Sequence, residues 1–124
     1  MKTKIIIFSS ILFSLVFLSC QNDEIISKSP VVSVSILSTT NSKVWFSTKA
    51  SWHNGCGSFS HFTSTKTDTI FNITVFGKEP KDAICTAAFI EFDAPVDIPV
   101  EESGRFTFRF WQSDSTTVDT TITF

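Results

Sequence analysis

The sequence predicts an all-β fold, a single small antiparallel β-sandwich of seven or eight strands, on three observations. From Val31 to Phe124 the apolar residues recur with a period of two, the spacing of a strand with one covered face. Turn-forming clusters interrupt that alternation at short intervals, as they do in sandwiches and barrels. Phenylalanine is abundant, with fourteen Phe and no Tyr, which supplies large apolar rings for a core. A small closed β-barrel is the alternative arrangement of the same strands.

The elements follow in order. Val32, Val34 and Ile36 alternate with Ser33 and Ser35, and Val44, Phe46 and Thr48 alternate with Trp45, Ser47 and Lys49. Successive side chains of a strand point to opposite faces, so each apolar set marks an inward face. Phe71, Ile73 and Val75 mark the next strand, and Thr86, Ala88, Ile90 and Phe92 another. Val96, Ile98 and Val100 alternate with Asp97 and Pro99, and the proline, lacking a ladder donor, predicts an edge strand. Phe106, Phe108 and Phe110 alternate with Thr107 and Arg109, and Val118, Thr120, Ile122 and Phe124 close the chain. Turns are expected at Thr40-Asn41-Ser42, Asn54-Gly55, Gly77 to Asp82, Ser103-Gly104 and Ser113 to Ser115.

In length and strand count this pattern is similar to immunoglobulin-like β-sandwiches. The Cys-Trp-Cys order of that family is missing, because Trp45 and Trp52 precede Cys56 and Trp111 follows Cys85. The resemblance therefore implies architecture and not membership.

The amino-terminal segment has a different character. Two lysines, Lys2 and Lys4, precede an apolar run from Ile5 to Leu18 that is too short for a membrane-spanning helix and matches the apolar region of a signal peptide. The run ends in Phe17-Leu18-Ser19-Cys20, which resembles the lipobox of bacterial lipoproteins, with Phe17 where leucine is usual. The resemblance implies cleavage before Cys20 and a diacylglyceryl thioether on its sulfur. Gln21, Asn22, Asp23 and Glu24 then look like the acidic export signal of lipoproteins displayed on the outer face of the outer membrane. Cell-surface display is the expected location, with the periplasmic face as the alternative. The expected organisation is a lipoprotein signal peptide over 1–19, a lipidated amino terminus and flexible tether over 20–30, and a β-sandwich domain over 31–124. Ile25-Ile26 offers an alternative reading of part of the tether as an edge strand.

Without residues 1–19 the chain keeps eight basic and twelve acidic side chains, a formal charge of −4. The Lys and Arg are scattered, which argues against a nucleic-acid partner, since phosphate neutralisation needs a basic stripe. No phosphate-cradling glycine loop and no G-x-S-x-G elbow occurs, and no motif implies a cofactor. Glu91, Asp93 and Asp97 lie near one another but lack the spacing of a calcium loop.

With Cys20 lipidated, two thiols remain, and in an oxidising compartment a Cys56–Cys85 disulfide is the simplest reading. Two weaker readings stand beside it. His53, Cys56, His61 and Cys85 are suitable residue types for tetrahedral zinc, although their spacing matches no known zinc module. Cys56 activated by His53 or His61 would be a nucleophile, which also needs an orienting group and an oxyanion site. Trp45 and Trp111 share parity with polar neighbours, so both should point away from the core as candidate contacts for a glycan or protein ligand. The expectation is thus a membrane-anchored, non-catalytic surface module. A small catalytic or inhibitor domain built on the loops Trp52 to Phe62 and Gly77 to Asp82 is the alternative.

Overall fold

The structure is a computed structural model that describes residues 23–124, so the signal peptide expected over 1–19 and the lipidation expected at Cys20 lie outside the described residues. Among those described, every regular element is a strand: β1 (Glu24–Lys28), β2 (Val31–Thr39), β3 (Lys43–Trp52), β4 (Ser58–Thr67), β5 (Ile70–Pro80), β6 (Ile90–Pro99), β7 (Arg105–Trp111) and β8 (Thr117–Thr123). They form two separate sheets in an open sandwich and not a closed barrel. One sheet has the order β2-β3-β6. In the other, β4 runs along one side of β5, β1 and β7 share the other side in succession, and β8 lies beyond β7.

The alternation predicts the inward faces correctly for most strands. Val44, Phe46, Thr48, Ala50 and Trp52 of β3 are buried, as are Phe71, Ile73 and Val75 of β5, Ala94, Val96 and Ile98 of β6, and Phe106, Phe108 and Phe110 of β7. Four rings meet at the centre. Phe46 packs tilted on Phe108 at 5.1 Å and edge-on to Phe110 at 5.2 Å, and Phe108 stacks on Phe71 at 5.0 Å. Such pairs contribute roughly 0.5 to 1.5 kcal/mol each beyond their area burial. Thr48 is the polar residue among these apolar side chains, and its hydroxyl donates to the Ala94 carbonyl across the β3–β6 ladder. As Pro99 predicts, β6 is an edge strand.

Several details depart from the sequence reading, each for a local reason. Glu24–Lys28, read as tether, are the strand foreshadowed by Ile25-Ile26, paired antiparallel with β5 from Glu24↔Pro80 to Lys28↔Phe76. Val32 and Ile36 are partly exposed, because irregularities between Val31 and Ser33 and between Ile36 and Ser38 break the two-residue alternation of β2. Thr86 and Ala88 lie in a connection, and the strand they were assigned to begins at Ile90. One ladder is parallel, β5 to β7 over Ile70↔Thr107 to Ile73↔Phe110. A parallel pair needs a long crossover, and β6, lying in the opposite sheet, supplies it.

The register defines two ends. β1 and β6 start, and β3 and β5 finish, at one end, where Glu24 pairs with Pro80 and Trp52 with Ile90. The carboxyl terminus lies at the other, where Phe124 and Gly104 exchange backbone hydrogen bonds of 2.7 and 2.9 Å. That end also holds the Thr67↔Ile70 hairpin, whose Asp68 takes the positive φ of 55° that two-residue loops favour.

Candidate interaction site at the disulfide-linked end

The end of the sandwich where β1 begins is built from two connections, residues 53–57 between β3 and β4 and residues 81–89 between β5 and β6. Cys56 and Cys85 join them through a disulfide with a Cα–Cα distance of 5.5 Å. The Gly55 amide donates to the Thr86 carbonyl at 3.0 Å beside it. The bond joins cysteines 29 positions apart in sequence and closes a loop that contains both β4 and β5. In the chain-entropy model such closure contributes roughly 3 to 4 kcal/mol.

Beneath this bridge lies a buried carboxylate. Glu79 continues the inward parity of Phe71, Ile73 and Val75 and is only 8% exposed. Its Oε2 accepts from Asn54 Nδ2 at 2.8 Å, and its Oε1 lies 3.1 Å from His53 Nε2. Asn54 Oδ1 in turn accepts from the Cys56 amide at 3.0 Å, the local turn that asparagine favours. A buried carboxylate is costly unless hydrogen-bonded, so Glu79 fixes the 53–57 connection to β5. Trp52 stacks on the His53 ring at 5.0 Å between centroids and is itself buried. Its indole lies over Gly77, where a Cβ would stand 2.6 Å from Cε3 and Cζ3. That contact explains why Gly77 sits within β5 and not in the turn the sequence suggested.

The four residues weighed as zinc ligands do not converge. Both sulfurs are joined to one another, and His53 is held by Glu79. His61, on β4, stacks flat on Phe76 with ring centroids 4.6 Å apart and bonds Ser60 Oγ through Nδ1 at 2.9 Å. Among the described residues no group of three or more His, Cys, Asp or Glu is arranged to hold a metal. The disulfide likewise leaves Cys56 no thiolate with which to act as a nucleophile.

Trp45 and Trp111 do point away from the core, on opposite outer faces. Trp45 lies outward on β3 with Lys43 Nζ 5.4 Å from its ring centroid, and Trp111 lies outward on β7 with Lys28 Nζ 5.3 Å away. Each is half-buried under its own lysine, so the two cannot form one aromatic platform. The expected loop from Trp52 to Phe62 shrinks to residues 53–57, because β3 runs through Trp52 and β4 starts at Ser58.

Three residues of this end were not singled out from sequence. Glu79 is hidden in the sequence because Gly77 reads as the start of a turn; carrying the alternation through Gly77 puts a charged residue at an inward position. Ile84 and Phe89 carry no periodic signal, yet Ile84 is fully exposed and Phe89 is 79% exposed.

The model of the ORF11 beta-sandwich domain family matches residues 47–123, from the middle of β3 to the end of β8. The chain belongs to that family. No curated protein and no solved structure matches it. The matched segment includes both cysteines, Glu79 and the 81–89 connection, and it leaves β1, β2 and Trp45 to this chain's own amino-terminal part.

Proposed function

We propose that this chain is a lipoprotein, anchored in the outer membrane through Cys20, whose β-sandwich is a non-catalytic interaction module displayed at the cell surface. The observation that carries the reading is the position of β1. It starts at Glu24, is paired with β5 along its length, and leaves three residues between Cys20 and the strand. A chain emerging directly from a folded body suits a protein held by covalent lipid, which needs no membrane-binding helix of its own. The chemistry-bearing side chains support the non-catalytic part, since the thiols, His53 and His61 are all committed to contacts that hold loops and strands together. The acidic Asp23-Glu24 pair after Cys20 supports surface display.

Fractionation of cells expressing the native chain and Cys20→Ala tests this reading. The native protein is expected in the outer membrane and open to protease added to intact cells, and the variant is expected uncleaved or released from that membrane. Equal outer-membrane recovery of both would refute the anchor. Membrane recovery with full protection from protease would refute surface display.

A further inference from the structure

Of the seven large hydrophobic residues exposed among those described, Ile84 and Phe89 are the two most exposed, and both belong to the disulfide-linked end. Ile84 and Phe89 lie on the 81–89 connection, held in place by Cys85 and by the Gly55–Thr86 hydrogen bond. Two apolar side chains this exposed, on a loop that the disulfide holds in place, are available to contact an apolar phase.

What covers it follows from where the chain enters. The Lys81 amide donates to the Asp23 carbonyl at 3.1 Å, so Asp23 is docked on the same loop. Cys20 is three residues upstream, and a fully extended chain spans at most about 11 Å over that interval. We infer that Ile84 and Phe89 rest in the interfacial layer of the bilayer beside the lipid anchor, so that the disulfide-linked end faces the membrane and the carboxyl-terminal end faces outward. This rests on the lipidation of Cys20 proposed above. Two of the acids near the loop are offset, with Lys81 Nζ 3.9 Å from Asp23 Oδ2 and Lys78 Nζ 3.7 Å from Glu24 Oε1, whereas Asp82 on the loop itself is exposed and has no ion-pair partner among the described residues. The anchor holds the protein at the surface, and the two side chains fix its orientation there.

Tryptophan fluorescence in the full lipidated chain tests the orientation. Ile84→Trp and Phe89→Trp are purified from membranes and reconstituted into phosphatidylcholine vesicles whose acyl chains are brominated near the ester end. Both positions are solvent-exposed, so the fold should accept them, and the unsubstituted protein supplies the background of Trp45, Trp52 and Trp111. The expected result is a blue-shifted emission from each added tryptophan and quenching by brominated lipid about twofold or more above that background. Vesicle flotation and intact mass are measured on the same samples. Flotation with lipid on Cys20 but no added quenching overturns the orientation and leaves the anchor standing. Failure to float, with Cys20 unmodified, overturns the anchor and the orientation with it. A blue shift insensitive to bromination, with cross-linked dimers, assigns the loop to a second copy of the chain and also overturns the inference.

Discussion

The indole of Trp52 covers Gly77 so closely that no side chain fits between them: a Cβ on Gly77 would lie 2.6 Å from Trp52 Cε3 and Cζ3 and 2.5 Å from Ser29 Oγ. Trp52 ends β3 in one sheet and Gly77 lies in β5 of the other, so this contact sets the spacing of the sheets at the disulfide-linked end.

Gly77→Ala should therefore destabilise the domain by overpacking, by about 1 to 3 kcal/mol. Urea unfolding monitored by tryptophan fluorescence reads this as a lower midpoint with an unchanged slope. A midpoint equal to that of the native chain would show that Trp52 moves aside without cost.

Replacing both Cys56 and Cys85 by serine should lower stability by roughly 2 to 4 kcal/mol while leaving the strands in place. Amide exchange should rise first in residues 81–89, which lose their covalent tie to the 53–57 connection. A loss confined to β7 and β8, distant from the bridge, would contradict this placement.

Asn54→Ala should cost more than His53→Ala. Asn54 both donates to buried Glu79 and accepts from the Cys56 amide, so its loss leaves a buried carboxylate oxygen short of a partner, a cost of roughly 1 to 3 kcal/mol. His53 makes a single contact to Glu79 and is 59% exposed at its side chain, so water can take its place at Oε1 and the loss is smaller. Thermal unfolding of the two variants ranks them, and the reverse order would contradict the role given to Asn54.

Lys49 titrates above the ordinary lysine value of 10.5, chiefly because it hydrogen-bonds Asp93 at 2.6 Å and is attracted by that carboxylate. A raised folded-state pKa means its small contribution to stability is complete below the ordinary value, which the unfolded chain keeps, and fades as pH rises through the folded one. Asp93→Asn should bring the Lys49 titration down, as followed by NMR of its side chain. An unchanged titration would remove Asp93 as the cause.

Much of the sandwich was legible because alternation reports a covered face directly. Val44 to Thr48, Phe71 to Val75 and Phe106 to Phe110 are inward where the pattern put them. Pairing was not legible: the parallel β5–β7 ladder depends on β6 crossing to the other sheet, which no local pattern encodes. β2 misled because its bulges shift parity within the strand, and Gly77 misled because its cause, the Trp52 ring, comes from a distant strand. The Cys56–Cys85 disulfide was readable once Cys20 was set aside as the expected lipid attachment point, which leaves two thiols to pair. The Glu79, His53 and Asn54 cluster was not, since it forms only when β3 and β5 end at the same pole.

The account turns on the chemistry of Cys20, and intact mass spectrometry of the protein from its native membranes tests it most directly. The expected species begins at Cys20, carries diacylglyceryl on that sulfur and is two hydrogens lighter for the Cys56–Cys85 bond. A chain with a bare Cys20 thiol, or with residues 1–19 still attached, would contradict it.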